Sequence, residues 1–100
     1  MSKQEPDNTS GYVLPRELDL LAADALKAAF LDMLQGEGPA LVSGAEVERV
    51  ATPCIEVLVA ADTAFTDAGR DFFLNEPSPP LCDAFEALGL IDRIEKWRAT

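Results

Sequence analysis

The chain contains no histidine. That absence excludes the Ser-His-Asp triad, Cys-His pairs, His-ligated zinc and imidazole acid–base catalysis together. Its two cysteines, Cys54 and Cys82, are too far apart for a C-x-x-C redox or zinc motif, and one pair is a thin basis for a secreted disulfide scaffold. A reducing cytoplasm is the expected setting. Positive charge is also scarce: eight Lys and Arg stand against eighteen Asp and Glu, a net charge of −10. Such a chain repels nucleic-acid phosphates and anionic lipid, so the expected partner is a protein with a basic or apolar docking face. Long apolar runs are missing as well. The mid-chain run at 57–61 is far short of the ~20 residues that span a bilayer, and residues 1–10 (MSKQEPDNTS) hold no apolar h-region. Neither membrane insertion nor a signal peptide is expected.

What is present is enough apolar material for a core. With 100 residues and 48% hydrophobic content, one domain can fold without disulfide or metal staples. Residues 1–10 read as a flexible tail and residues 11–100 as the folded domain. Tyr12-Val13-Leu14-Pro15-Arg16-Glu17-Leu18 predicts one short strand that Pro15 pushes to a sheet edge or bulge. Asp19 then caps a helix whose apolar residues Ala22, Leu26, Ala29, Phe30 and Met33 share one face; Gly36 is expected to end it in a left-handed conformation. Ala40-Leu41-Val42-Ser43 predicts a buried strand, extended through the alternating residues 45–50.

Thr52-Pro53 predicts the second helix start, with the threonine hydroxyl as N-cap and proline at N1. Cys54, Leu58, Ala61, Phe65 and Ala68 form its inward stripe and Gly69 its end. Residues 71–75 predict a second buried strand. Ser78-Pro79 starts a third helix with stripe Leu81, Phe85 and Leu88, closed by Gly89 with Leu90 packing back; Ile91, Ile94 and Trp97 continue as an amphipathic tail. Alternating strands and helices predict an α/β domain, a small mixed β-sheet with helices mainly on one face.

No motif predicts catalysis, a cofactor or a metal. Gly36-Glu37-Gly38-Pro39 lacks the Gly-Lys-Ser/Thr ending of a phosphate loop, and the carboxylates fall mostly on polar helix faces. Cys54, expected at N2 of the second helix, is either a dipole-activated thiol or, the favoured reading, a small core residue. Thr52 is a cap, yet a hydroxyl at a helix N-terminus is also where a phosphate is well received.

Several segments, in order and spacing, resemble the STAS domain, the family of anti-sigma-factor antagonists and sulfate-transporter regulatory domains. The likeness covers about residues 12–92. It is carried by Leu14-Pro15-Arg16-Glu17-Leu18-Asp19, by 41–50, by the turn Leu74-Asn75-Glu76-Pro77-Ser78-Pro79, and by Phe85-Glu86-Ala87-Leu88-Gly89-Leu90. The family loop commonly reads Asp-Ser-Ser-Gly or Asp-Thr-Gly-Gly, its first hydroxyl being a phosphoacceptor for a partner kinase. The matching residues are Ala51-Thr52-Pro53-Cys54: the hydroxyl is retained at Thr52, the acid and the small flexible residues are not. The resemblance implies a bacterial, non-catalytic interaction module. Its docking surface would comprise Ala51, Thr52, Pro53, Glu56, Val59, Ala60 and Thr63, with Thr52 the candidate phosphoacceptor. The implied partner is an anti-sigma factor or signalling kinase; the alternatives are a chemotaxis kinase complex or a lipid-transport ABC ATPase. Weak nucleotide binding is a further alternative, with Arg49 and Arg70 as the cations near the loop.

Overall fold

Short runs of branched and aromatic residues make the sheet. The computed structural model describes residues 11–98, so the tail expected at 1–10 lies outside the described residues. Strand β1 (Gly11–Val13), β3 (Ala40–Ser43) and β5 (Phe72–Asn75) form one sheet in the order β1-β3-β5, with both pairings parallel. Parallel neighbours require crossovers, and two long helices supply them: α1 (Leu20–Gln35) between β1 and β3, and α2 (Thr52–Asp67) between β3 and β5. A second sheet is a two-residue parallel pair, β2 (Glu17–Leu18) with β4 (Arg49–Val50). Helices α3 (Pro79–Ala87) and α4 (Ile91–Trp97) complete the chain.

The expected α/β class is what folds, with the helices on one sheet face. Ala40, Val42, Phe72 and Leu74 are buried, while Leu41, Ser43, Phe73 and Asn75, pointing the other way, are only half-buried. Phe72 shows where the helices sit. Its ring meets Phe30 of α1 at 5.7 Å, Phe65 of α2 at 6.1 Å and Trp97 of α4 at 5.1 Å; Phe85 of α3 packs edge-on against Trp97 at 5.6 Å. These separations are typical of favourable aromatic pairs.

The sheet differs from expectation in detail. All described pairings are parallel, in two small sheets, where one mixed sheet was expected. The single strand expected over 12–18 is two, because the chain leaves the first sheet at Leu14, whose N–H still reaches Ser43 (2.9 Å), and re-pairs only after Pro15. The extension expected over 45–50 is a turn followed by β4, with the N–H groups of Glu48 and Arg49 both donating to the Arg16 carbonyl.

Helix ends follow side-chain chemistry. The Asp19 carboxylate accepts from Ala22 N–H at 2.9 Å and caps α1. Gly36 does not take the left-handed conformation expected of it; its φ is −88°, and Gly38 turns the chain with φ +87°. The C-terminus of α1 is held instead by Arg70. Its guanidinium donates to the carbonyls of Met33 (3.0 Å), Leu34 (3.1 Å) and Gly38 (2.7 Å) and lies over the Phe65 ring at 4.7 Å. The ends of α2 and α3 share one closure, with Gly69 and Gly89 at positive φ. At α2 Arg70 N–H reaches Phe65 O (2.8 Å) and Gly69 N–H reaches Thr66 O (2.9 Å); at α3 Leu90 N–H reaches Phe85 O (2.8 Å) and Gly89 N–H reaches Glu86 O (2.9 Å), the paired bonds of a Schellman motif at each end.

Candidate functional site: the outer face of the second helix

The site begins at the β2–β4 pair, which carries the chain to α2. Leu18 O accepts from Ala51 N–H at 2.7 Å, holding Ala51 extended (φ −93°, ψ 149°) as the last residue before the helix. Ala51 O then accepts from Cys54 N–H (3.0 Å) and Ile55 N–H (3.4 Å). A carbonyl that accepts the first intrahelical bond marks the N-cap, so the cap is Ala51, and Thr52 is N1 rather than the expected N-cap. The physical reason is a shortage of donors. Pro53 at N2 has no N–H, and those of Cys54 and Ile55 go to Ala51, so the Thr52 hydroxyl makes no cap bond and faces solvent.

Cys54 therefore sits at N3, one position later than expected, and is buried. Its thiol donates to Asp19 O at 3.2 Å. Burial, with the Asp19 charge adding to it, pushes the thiol above its ordinary pKa. A neutral core thiol is the result, as favoured, and the dipole-activated reading gives way.

Thr52, Glu56, Val59, Ala60 and Thr63 lie on one side of α2, as helical spacing requires. Thr52, Glu56, Ala60 and Thr63 are exposed, whereas Ala51, Pro53 and Val59 are half-buried. Val59 also packs against the core. The Thr63 hydroxyl is committed within its own helix, donating to Val59 O at 3.2 Å.

Two grooves of about 440 Å³ each flank this ridge. One runs between α1 and α2, with Lys27 and Leu31 opposite Pro53, Val57 and Ala64. The other lies between Thr52, Ile55 and Val59 of α2 and Leu88 and Leu90 of the α3–α4 joint. Glu56 and Ala60 line both. Leu88 was expected in the buried stripe of α3, but the helix ends at Ala87 and leaves Leu88 as a C-cap residue 46% exposed. Its part in a groove was not visible from sequence, where Leu88-Gly89-Leu90 signals only a helix end.

Asp62 was likewise missed, since nothing in its spacing marks it. It is 3% exposed on α2, accepts from Thr66, and pairs with Arg93 (3.3 Å) and Lys96 (3.5 Å) of α4. Ala68, expected in the inward stripe, is exposed at the helix end. Arg70, expected near the Thr52 loop, lies beyond the far end of α2, a helix about 24 Å long, and is committed to α1. Arg49 remains next to the loop, exposed, in β4.

These features define a small α/β domain whose candidate site is a helix face and its entry loop. A protein-family model described as Mlab, STAS domain, matches residues 1–95. The chain belongs to the STAS-domain family, a family whose domains commonly bind other proteins. No curated protein matches the chain. Among the described residues no helix is long and apolar enough to cross a membrane.

Proposed function

We propose that the protein is a non-catalytic recognition module of the cytoplasm, docking on a signalling kinase or kinase-type anti-sigma factor through the Thr52 loop and the outer face of α2. The observation that carries this reading is the ridge itself. Thr52, Glu56 and Ala60 are exposed along one helix side between two apolar grooves, an apolar and acidic mixture suited to a basic protein surface. Phosphorylation of the exposed Thr52 is the finer part of the proposal.

A second reading is a permanently seated subunit of a chemotaxis kinase complex or a lipid-transport ABC ATPase. It is favoured by the loop chemistry. Ala51 offers no carboxylate beside Thr52, and Pro53, Cys54 and Ile55 have no free N–H to receive a phosphate. Nucleotide binding has less support, because Arg70 is engaged elsewhere.

The test is co-purification of the tagged wild-type protein from its own cells, with partners identified by mass spectrometry, beside Ala60→Arg, Thr52→Ala and Thr52→Glu. Docking through α2 predicts that Ala60→Arg loses the partner while remaining folded; full retention overturns it. One added phosphate by intact mass, lost in Thr52→Ala, together with release of the partner by Thr52→Glu, is expected of a switch. An unmodified Thr52 with unchanged Thr52→Glu binding leaves the seated-subunit reading.

A further inference from the structure

The groove between α2 and the α3–α4 joint combines aliphatic walls with one-sided polarity. Ile55, Val59, Leu88 and Leu90 make the walls. The polar groups are the Thr52 hydroxyl and the Glu56 carboxylate, which stand at i and i+4 on one helix face, roughly 5–6 Å apart at Cβ. No lysine or arginine lines this groove, and among the described residues Glu56 has no ion-pair partner. Of the other cations, Arg93 and Lys96 pair with Asp62, Arg16 with Glu48, and Arg70 is held at the end of α1; Lys27, across the α1–α2 groove, and Arg49 of β4 are exposed and lie outside this groove. A carboxylate thus lines an apolar slot on a chain of net charge −10, with no ion-pair partner among the described residues.

Building on the docking reading above, we propose that this groove receives one long basic side chain of the protein partner, arginine in preference to lysine. The methylene stem lies along Val59, Leu88 and Leu90, as such stems do on apolar surfaces. The guanidinium meets the Glu56 carboxylate and donates to the Thr52 oxygen. Arginine is preferred because its planar fork serves two acceptors at once, whereas an ammonium acts as a point charge. A second copy of the chain is disfavoured as the donor, since two molecules of charge −10 repel.

The test uses the full chain, labelled with nitrogen-15, titrated with butylguanidinium, guanidinium and 1-pentanol at constant ionic strength. Butylguanidinium is expected to give saturable shifts centred on Thr52, Glu56, Val59 and Leu90, at lower concentration than either fragment. Glu56→Gln, an exposed and conservative change, is expected to weaken it about threefold, the scale of an exposed ion pair. Pentanol binding as well as butylguanidinium overturns the proposal in favour of an apolar occupant. Shifts spread over all acidic surfaces, or an unaffected Glu56→Gln, overturn it as unspecific charge. Self-association in sedimentation that is lost in Glu56→Gln overturns it in favour of a second copy. Failure here is separable from failure of docking: a partner lost with Ala60→Arg but kept with Glu56→Gln removes the basic anchor and leaves the docking surface.

Discussion

At the scale of single residues, two side chains take roles their sequence neighbourhood does not announce. Arg70 satisfies three carbonyls at and beyond the end of α1 while stacking on Phe65. Charge-assisted hydrogen bonds from a partly buried fork are worth more than neutral ones. Arg70→Ala is therefore expected to cost about 2 kcal/mol, with Arg70→Lys recovering less than half, because an ammonium cannot span the three acceptors. Urea denaturation followed by the fluorescence of Trp97, the sole and fully buried tryptophan, measures both. Cys54 gives a chemical counterpart. Its folded-state pKa is raised, so the thiol stays protonated where the unfolded thiol has begun to ionise. Its contribution to stability is present below the ordinary thiol pKa and is lost as pH rises from there through the folded value. Iodoacetamide at pH 8 is expected to alkylate half-buried Cys82 first and Cys54 only on global unfolding, read by intact mass; rapid double labelling would show that Cys54 is not the closed core thiol described above.

At the scale of elements, the helix starts show how far the sequence can be read. Thr52-Pro53 and Ser78-Pro79 present the same hydroxyl-proline pair. Ser78 behaves as the pattern predicts: its oxygen accepts from Leu81 N–H at 3.2 Å and its hydroxyl donates to Val47 O at 2.6 Å. Thr52 does not, because the upstream bond from Ala51 to Leu18 starts the helix one residue early. That bond joins segments more than thirty residues apart in sequence, which no local pattern encodes. The α/β class, the helices α1, α2 and α3, and the closing glycines Gly69 and Gly89 were legible because they rest on periodicity and local turn chemistry. The strand pairing, the grooves and the Asp62 cluster were not, because each is made by residues distant in the chain. Ser78→Ala removes a cap and a buried bond together and is expected to cost about 2 kcal/mol. Gly89→Ala is expected to cost about 1 kcal/mol. Open space surrounds the added Cβ there, so the penalty comes from φ +73° alone. Thermal unfolding of both variants checks the order, and a Gly89→Ala loss equal to that of Ser78→Ala would contradict it.

At the scale of the whole molecule, the −10 charge acts on folding and on docking with opposite sign. The described residues hold three ion pairs, two of them sharing the one buried carboxylate, Asp62. Most acidic side chains among the described residues thus have no ion-pair partner, and compaction brings them closer together. Their repulsion opposes the folded state, and salt screens it with a Debye length that falls from about 30 Å at 0.01 M to about 8 Å at 0.15 M. Raising sodium chloride should therefore raise the urea midpoint of the isolated protein. A fold held chiefly by its surface ion pairs would show the reverse. The same ions screen the attraction between the acidic α2 face and a basic partner, so the affinity of the complex should fall across the same range, chiefly through slower association. One salt series read twice, by urea midpoint on the free protein and by association rate on the complex, separates these effects. Opposite slopes are the expected outcome. Parallel slopes would mean that the partner is held by apolar contacts in the grooves, with the acidity serving solubility alone.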